Sequence, residues 1–186
     1  MKSKFAIAAT AAWLSSAAIA APISYNATLT DGVAASGSIA AANTSADPVG
    51  AEYYRFFANA GDSVTVFGTR LENSYDMAFW LFSGLFTDTD QFGATFNTGD
   101  AGFIAFGDDE IPHPGPFGDP SETFVAATTG LYTVAVTNFQ SGDSGDGQFA
   151  FQLTANGIQN VPEPGSLLLA GLGLFGLAGV RRRRAG

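Results

Sequence analysis

The chain has no cysteine. Disulfide staples, thiolate metal sites and cysteine nucleophiles are therefore excluded, and the fold must be held by an apolar core alone. It has a single histidine, His113, which leaves no pair of imidazoles for a metal centre. Basic residues are also scarce, eight against seventeen acids. Six of the eight lie near the ends: Lys2, Lys4 and Arg181 to Arg184. Residues 21–160 keep only Arg55 and Arg70 against sixteen acids, a net charge of −14. Such a surface repels phosphate backbones, so no nucleic-acid partner is expected. It suits divalent cations, or plain solubility outside the cell. Long apolar runs are missing from the middle of the chain and confined to its two ends.

The ends are therefore set aside before the fold is considered. Met1-Lys2-Ser3-Lys4 is a short positive region, and Phe5 to Ile19 is uncharged and rich in alanine. Ala18-Ile19-Ala20 supplies the small-x-small pattern of a signal-peptide cleavage site. A cut after Ala20 is preferred, because a cut after Ala21 would put Pro22 immediately beyond the bond. The expected partners at this end are the secretion machinery and signal peptidase.

The other end reads Val161-Pro162-Glu163-Pro164-Gly165-Ser166, then fourteen apolar residues from Leu167 to Val180, then Arg181, Arg182, Arg183 and Arg184. As a helix the apolar stretch would reach about 21 Å, short of the ~30 Å hydrocarbon core. The arginines would stop transfer and stay on the cytoplasmic side. Pro162 and Pro164 hold the hinge extended and open to a processing enzyme. This order of elements resembles the PEP-CTERM sorting signal of Gram-negative bacteria. The same kind of tail also goes under the description of an ice-binding protein C-terminal domain, which describes the tail and not the domain before it. The resemblance implies a transient inner-membrane anchor, recognition by an exosortase, and removal of the tail near Pro-Glu-Pro. It further implies a surface or matrix location in bacteria that make exopolysaccharide.

The middle, residues 21–160, is long enough for one core without staples. It shows no sustained helical period. Short alternating runs are bounded by glycine, asparagine and aspartate: 24–30, 52–58, 63–69, 76–82, 102–106, 122–127, 131–137 and 148–154. Valine, threonine and aromatics dominate them, as strands prefer. Alternation puts Val64 and Val66 on one face. It likewise turns Tyr132, Val134 and Val136, and Phe149, Phe151 and Leu153, toward a core. Most of the seventeen phenylalanines are expected there too. The expected fold class is all-β: a single jelly-roll-like β-sandwich. It is flanked by a signal helix at 1–20 and a short transmembrane helix within the sorting signal at 161–186.

The runs Tyr53-Tyr54-Arg55-Phe56, Ala60-Gly61-Asp62-Ser63-Val64-Thr65-Val66, Asp76 to Phe82, Gly107-Asp108-Asp109 and Thr129 to Val136 resemble the bacterial pre-peptidase C-terminal domain family. The resemblance spans most of 51–154. It implies a jelly-roll-like sandwich, non-catalytic and often accessory. The phenylalanine-rich stretch 82–103 and the proline-rich loop after Asp109 depart from that pattern.

No catalytic constellation assembles from the sequence. His113 sits in Ile111-Pro112-His113-Pro114-Gly115-Pro116, a loop setting without evident partners. Gly142-Asp143-Ser144-Gly145 resembles the nucleophile segment of chymotrypsin-type proteases, but Asp146 stands where that family needs glycine and no suitable histidine precedes it. A tight turn accounts for Ser141 to Gly147. Ca²⁺ is the cofactor that the acids suit, since it takes hard oxygen ligands. Asp108, Asp109 and Asp119 are the first candidates, near Glu110 and Glu122. Asp143 with Asp146, and Asp88 with Asp90, form further groups. Trp80, Tyr75 and Phe117 would make a sugar-stacking platform if exposed, but Trp80 lies in an apolar run and reads as core. The functional expectation is a non-enzymatic, structural or adhesive surface or matrix protein associated with exopolysaccharide. The alternatives are a carbohydrate-binding module and a hydrolase with paired carboxylates. Ice binding would want a flat array of repeated threonines, and no such repeat occurs.

Overall fold

The computed structural model describes residues 20–40, 46–73, 75–139 and 147–159. The signal helix, Pro162-Glu163-Pro164, the C-terminal helix, the four arginines and the turn holding Asp143, Ser144 and Asp146 lie outside the described residues. Among the described residues no helix is long and apolar enough to cross a membrane.

The strands are β1 (Tyr25–Thr28), β2 (Ala35–Ala40), β3 (Glu52–Ala58), β4 (Ser63–Arg70), β5 (Met77–Ser83), β6 (Phe103–Gly107), β7 (Ser121–Val125), β8 (Gly130–Asn138) and β9 (Gln148–Asn156). They form two sheets, ordered β1-β3-β8-β5-β6 and β2-β9-β4-β7. The molecule is thus an all-β sandwich. Only β1 and β3 run parallel; the other pairings are antiparallel.

The alternation read from the sequence sets the inner faces. Val64 and Val66, then Tyr132, Val134 and Val136, then Phe149, Phe151 and Leu153 all enter one core between the sheets. Fully burying a side chain of this size contributes roughly 1.5–3 kcal/mol. Tyr75 stacks on Phe149 at 5.1 Å, and Phe56 on Tyr132 at 5.3 Å.

Strand β5 is buried on both faces. Its outer face is covered by the connection 84–102, the phenylalanine-rich stretch. Phe86, Phe92 and Phe96 from that connection pack on Tyr53, Trp80 and Phe82 and make a second apolar layer. A short 3-10 turn, Thr89–Phe92, carries Phe92 inward. Strand β2 has no counterpart among the runs picked out in the sequence. Its Ala-Ser-Gly-Ser start lacks the residues that strands prefer. It pairs with β9 because Gly37 leaves room for Tyr54 and Phe151, which a Cβ there would strike.

The strand directions give the sandwich two poles. β3 and β9 end, and β4 and β8 begin, at one of them; the connection leaving β5 also starts there. β4, β6 and β8 end, and β5, β7 and β9 begin, at the other.

Candidate cation site at the acidic pole

The register explains which acids meet at the second pole. Phe79 lies opposite Gly107 in the β5–β6 pair. One step further, Asp108 falls opposite Ala78, and Asp76 is two residues along on the same outward face. Carboxylate oxygens of Asp76, Asp108 and Asp109 lie within 4.8 Å of one another. Asp76 is buried, Asp108 half-buried and Asp109 exposed.

The loop after β6 is held by its own acids. Glu110 accepts from the Asp108 N–H at 2.9 Å and the Ser121 N–H at 2.8 Å. Asp109 accepts from the Gly118 N–H. Gly118 must be glycine, since a Cβ would meet the Asp109 backbone at 2.7 Å. Asp108 Oδ1 is buried without a hydrogen-bond partner. Burial pushes the Asp108 carboxyl up to about 7, and the negative charges of Asp76, Asp109 and Glu110 push the same way. Glu122 is raised too, first by burial and then by Glu110. Three carboxylates this close repel one another unless one holds a proton or a cation sits among them.

Asp119 is placed elsewhere, which corrects its grouping with Asp108 and Asp109. Its Oδ1 takes the Nε of buried Arg70 at 2.9 Å, and the Arg70 N–H at 3.3 Å. Arg70 also donates to the carbonyls of Tyr75 and Phe117, so it ties β4, the entry to β5 and the proline-rich loop together. A buried arginine must be paired, and that demand claims the Asp119 carboxylate. His113 Nε2 lies 4.0 Å from Asp119 Oδ2, while its Nδ1 is 2.9 Å from the Pro114 carbonyl. Asp76 takes the third place in the cluster. Its signal was present in the sequence as the one acid flanking the apolar run 77–82, but the β5–β6 register was needed to see it.

The other sequence candidates are dispersed. Asp88 and Asp90 lie on the covering connection, where Asp88 bridges Pro22 ahead of β1, and they do not join the Asp76, Asp108 and Asp109 group. Trp80 and Tyr75 are both buried, on opposite faces of the five-stranded sheet, so with Phe117 they form no exposed row. Ala21 is part of the fold: its N–H donates to Thr89 Oγ1 at 3.1 Å and its carbonyl accepts from the Thr89 N–H at 3.0 Å. A cut after Ala20 keeps that pair of bonds, whereas a cut after Ala21 removes it.

Fold and site together define an acidic two-sheet β-sandwich with carboxylates gathered at one pole. Beyond that sandwich, the model of the PEP-CTERM protein-sorting motif matches residues 160–184. That motif implies an exported protein processed by an exosortase. No curated protein matches the chain. Among solved structures, CorA of Methylomicrobium album BG8, described as a surface-associated copper-binding protein, is 14% identical. The match covers 71% of this chain and 98% of that one at a TM-score of 0.52, and it shows the fold. The pre-peptidase C-terminal domain of a Bacillus anthracis collagenase is 12% identical, with 72% and 98% covered and a TM-score of 0.44. PliG of Aeromonas hydrophila, a periplasmic lysozyme inhibitor, is 21% identical, with 68% and 85% covered and a TM-score of 0.44.

Proposed function

We propose that this is an exported, non-enzymatic surface or matrix protein, structural or adhesive at exopolysaccharide, whose sandwich is delivered by the C-terminal sorting signal. The observation that carries this reading is the sorting motif at residues 160–184, which follows β9 in the sequence. The non-enzymatic part rests on the residue inventory, with no cysteine and one histidine. The burial of Trp80 and Tyr75 weighs against the carbohydrate-binding alternative in its stacking form. The test is intact mass and fractionation of the protein from its own host, with and without the exosortase. The expected product lacks residues 1–20 and everything beyond the Pro-Glu-Pro hinge, and the full tail returns when the enzyme is deleted. A protein that keeps residues 167–186 in the inner membrane of the intact host would sink the reading.

A second reading is favoured by the acidic pole. Asp76, Asp108 and Asp109 would hold a hard divalent cation, Ca²⁺ first, which in a matrix would cross-link acidic polysaccharide. The fit is chemical. The donors are carboxylates, and buried Asp108 Oδ1 has no hydrogen-bond partner. This donor set suits oxygen-seeking ions better than the copper of CorA. Ca²⁺ at a hundred times its Kd would stabilise the fold by about 2.7 kcal/mol, a shift of several degrees in Tm. Asp108→Asn should abolish most of that shift. No shift of the wild-type melt with Ca²⁺, Mg²⁺ or Mn²⁺ against a chelator would remove this second reading.

A further inference from the structure

The segment 157–159, which leaves β9, is fastened at the pole opposite the acidic one. The Gln159 N–H donates to the Phe57 carbonyl at 2.9 Å, and its side-chain amide to Asp62 Oδ2 at 3.2 Å. Asp31 Oδ1 accepts the N–H groups of Gly157 and Ile158 at 2.7 and 3.2 Å. Asp62 also accepts the Asn59 N–H at 2.8 Å. Asp31 and Asp62, the acids of the turns that flank this segment, are thus engaged in holding it. Exposed on the same pole are Val33, Leu85 and Val125, the last 67% accessible. The turns 30–34, 59–62 and 126–129 carry no basic residue and no glutamate.

Pro162 follows Gln159 by three positions. An extended chain covers about 3.5 Å per residue, so Pro-Glu-Pro starts within roughly 11 Å of this pole. The apolar stretch begins at Leu167, eight positions after Gln159, so the same pole stays within about 28 Å of where that stretch starts. An enzyme that grips the motif cannot stand clear of the sandwich.

We propose that the enzyme which processes the sorting signal docks on this pole, over the turns 30–34, 59–62 and 126–129 and the apolar side chains beside them. The proposal rests on the sorting reading above, and adds to it a surface of the folded domain. The acidic pole then faces away from the membrane during processing.

The experiment is a pulse-chase of the full chain in its host, with tail removal read by intact mass. Val33→Arg and Ala127→Arg put bulk and charge on the proposed footprint. Glu72→Arg does the same at the opposite pole. A second set of each variant carries a Gly-Ser spacer of about eight residues after Gln159, which adds roughly 15 Å of mean reach. Losing a central interface contact is expected to slow tail removal about five-fold in the two footprint variants. Glu72→Arg should be processed at the wild-type rate, and the spacer should restore the footprint variants. Wild-type rates for both footprint variants, or equal slowing with and without the spacer, would overturn the proposal. Thermal melts of the purified variants check folding, and Ala60→Arg, on the same pole, replaces any variant that melts early. A wild-type chain that never loses its tail in this host defeats the sorting reading instead.

Discussion

Arg70 carries a full charge into the sandwich, 2% exposed, and three acceptors from two separate segments, the entry to β5 and the proline-rich loop, converge on its guanidinium. Its removal would leave the Asp119 carboxylate, itself 4% exposed, without its cation. Breaking such a pair from one side costs about 3–5 kcal/mol. Arg70→Ala should therefore show that loss in urea unfolding, whereas Arg70→Met with Asp119→Leu should recover a good part of it. A loss below 1 kcal/mol for the single variant would mean that the pair is not buried in solution. Asp108 is a different case, because its charge is opposed rather than paired. In the folded, metal-free protein it keeps its proton up to about 7, against an ordinary value of 3.8. Between those two pH values the folded state binds more protons than the unfolded one, so this group's contribution to stability falls as pH rises through that window. Half-exposure screens the effect, which leaves on the order of 1 kcal/mol. Asp108→Asn should flatten the decline between pH 4 and 7 and raise stability at pH 8 by about that amount. An unchanged pH profile in chelator would show that Asp108 is ionised throughout.

The connection 84–102 is the element that most separates this chain from a bare two-sheet sandwich. Phe92, 2% exposed, touches Tyr53, Phe82, Phe86 and Phe96 and pins the connection onto β5. Phe92→Ala should cost about 3–5 kcal/mol and loosen this layer before the main core. Trp80 reports on it. In a chain that starts at Ala21 it is the sole tryptophan, and it is only 9% exposed. Acrylamide should quench it weakly in the wild type and strongly in Phe92→Ala, with the far-UV spectrum kept. Equal quenching in both would mean that Phe92 does not hold the connection 84–102 onto β5. These elements also mark what was readable in advance. Strands with a clear alternation, such as Leu131 to Thr137, declared both their extent and their buried face. β2 did not, because its existence depends on Gly37 fitting over Tyr54 and Phe151, a contact made by chain segments far apart in sequence. The parallel β1–β3 pairing left no local trace either. At the site, Asp108 and Asp109 stood out as adjacent acids. Asp119 could not be separated from them, because the arginine that claims it lies 49 positions away. Sequence shows which groups carry charge; register decides which of them meet.

At the scale of the whole domain, the charge is almost all of one sign. Residues 21–160 carry sixteen acids and two arginines. Arg70 is already spent inside, and Arg55 donates to Thr28 Oγ1 at 2.9 Å on the surface. Most of the acids therefore face one another across solvent, and folding brings them closer than they are in the unfolded chain. Self-repulsion of this kind is long-ranged, and salt shortens its reach from about 30 Å at 0.01 M to about 8 Å at 0.15 M. The shorter figure is well below the span of a nine-residue strand such as β8, roughly 27 Å from end to end. Among the described residues the arginine–carboxylate pair, Arg70 with Asp119, is buried and screened little. The balance predicts that unfolding free energy rises with NaCl between 0.01 and 0.15 M, by an amount on the order of 1 kcal/mol. It also predicts that Ca²⁺ acts at far lower concentration than NaCl if the acidic pole takes a cation, and that Asp108→Asn removes the Ca²⁺ response while leaving the NaCl response in place. A stability that falls with added NaCl would mean that attractive surface pairs outweigh the repulsion, which this inventory of two arginines does not allow.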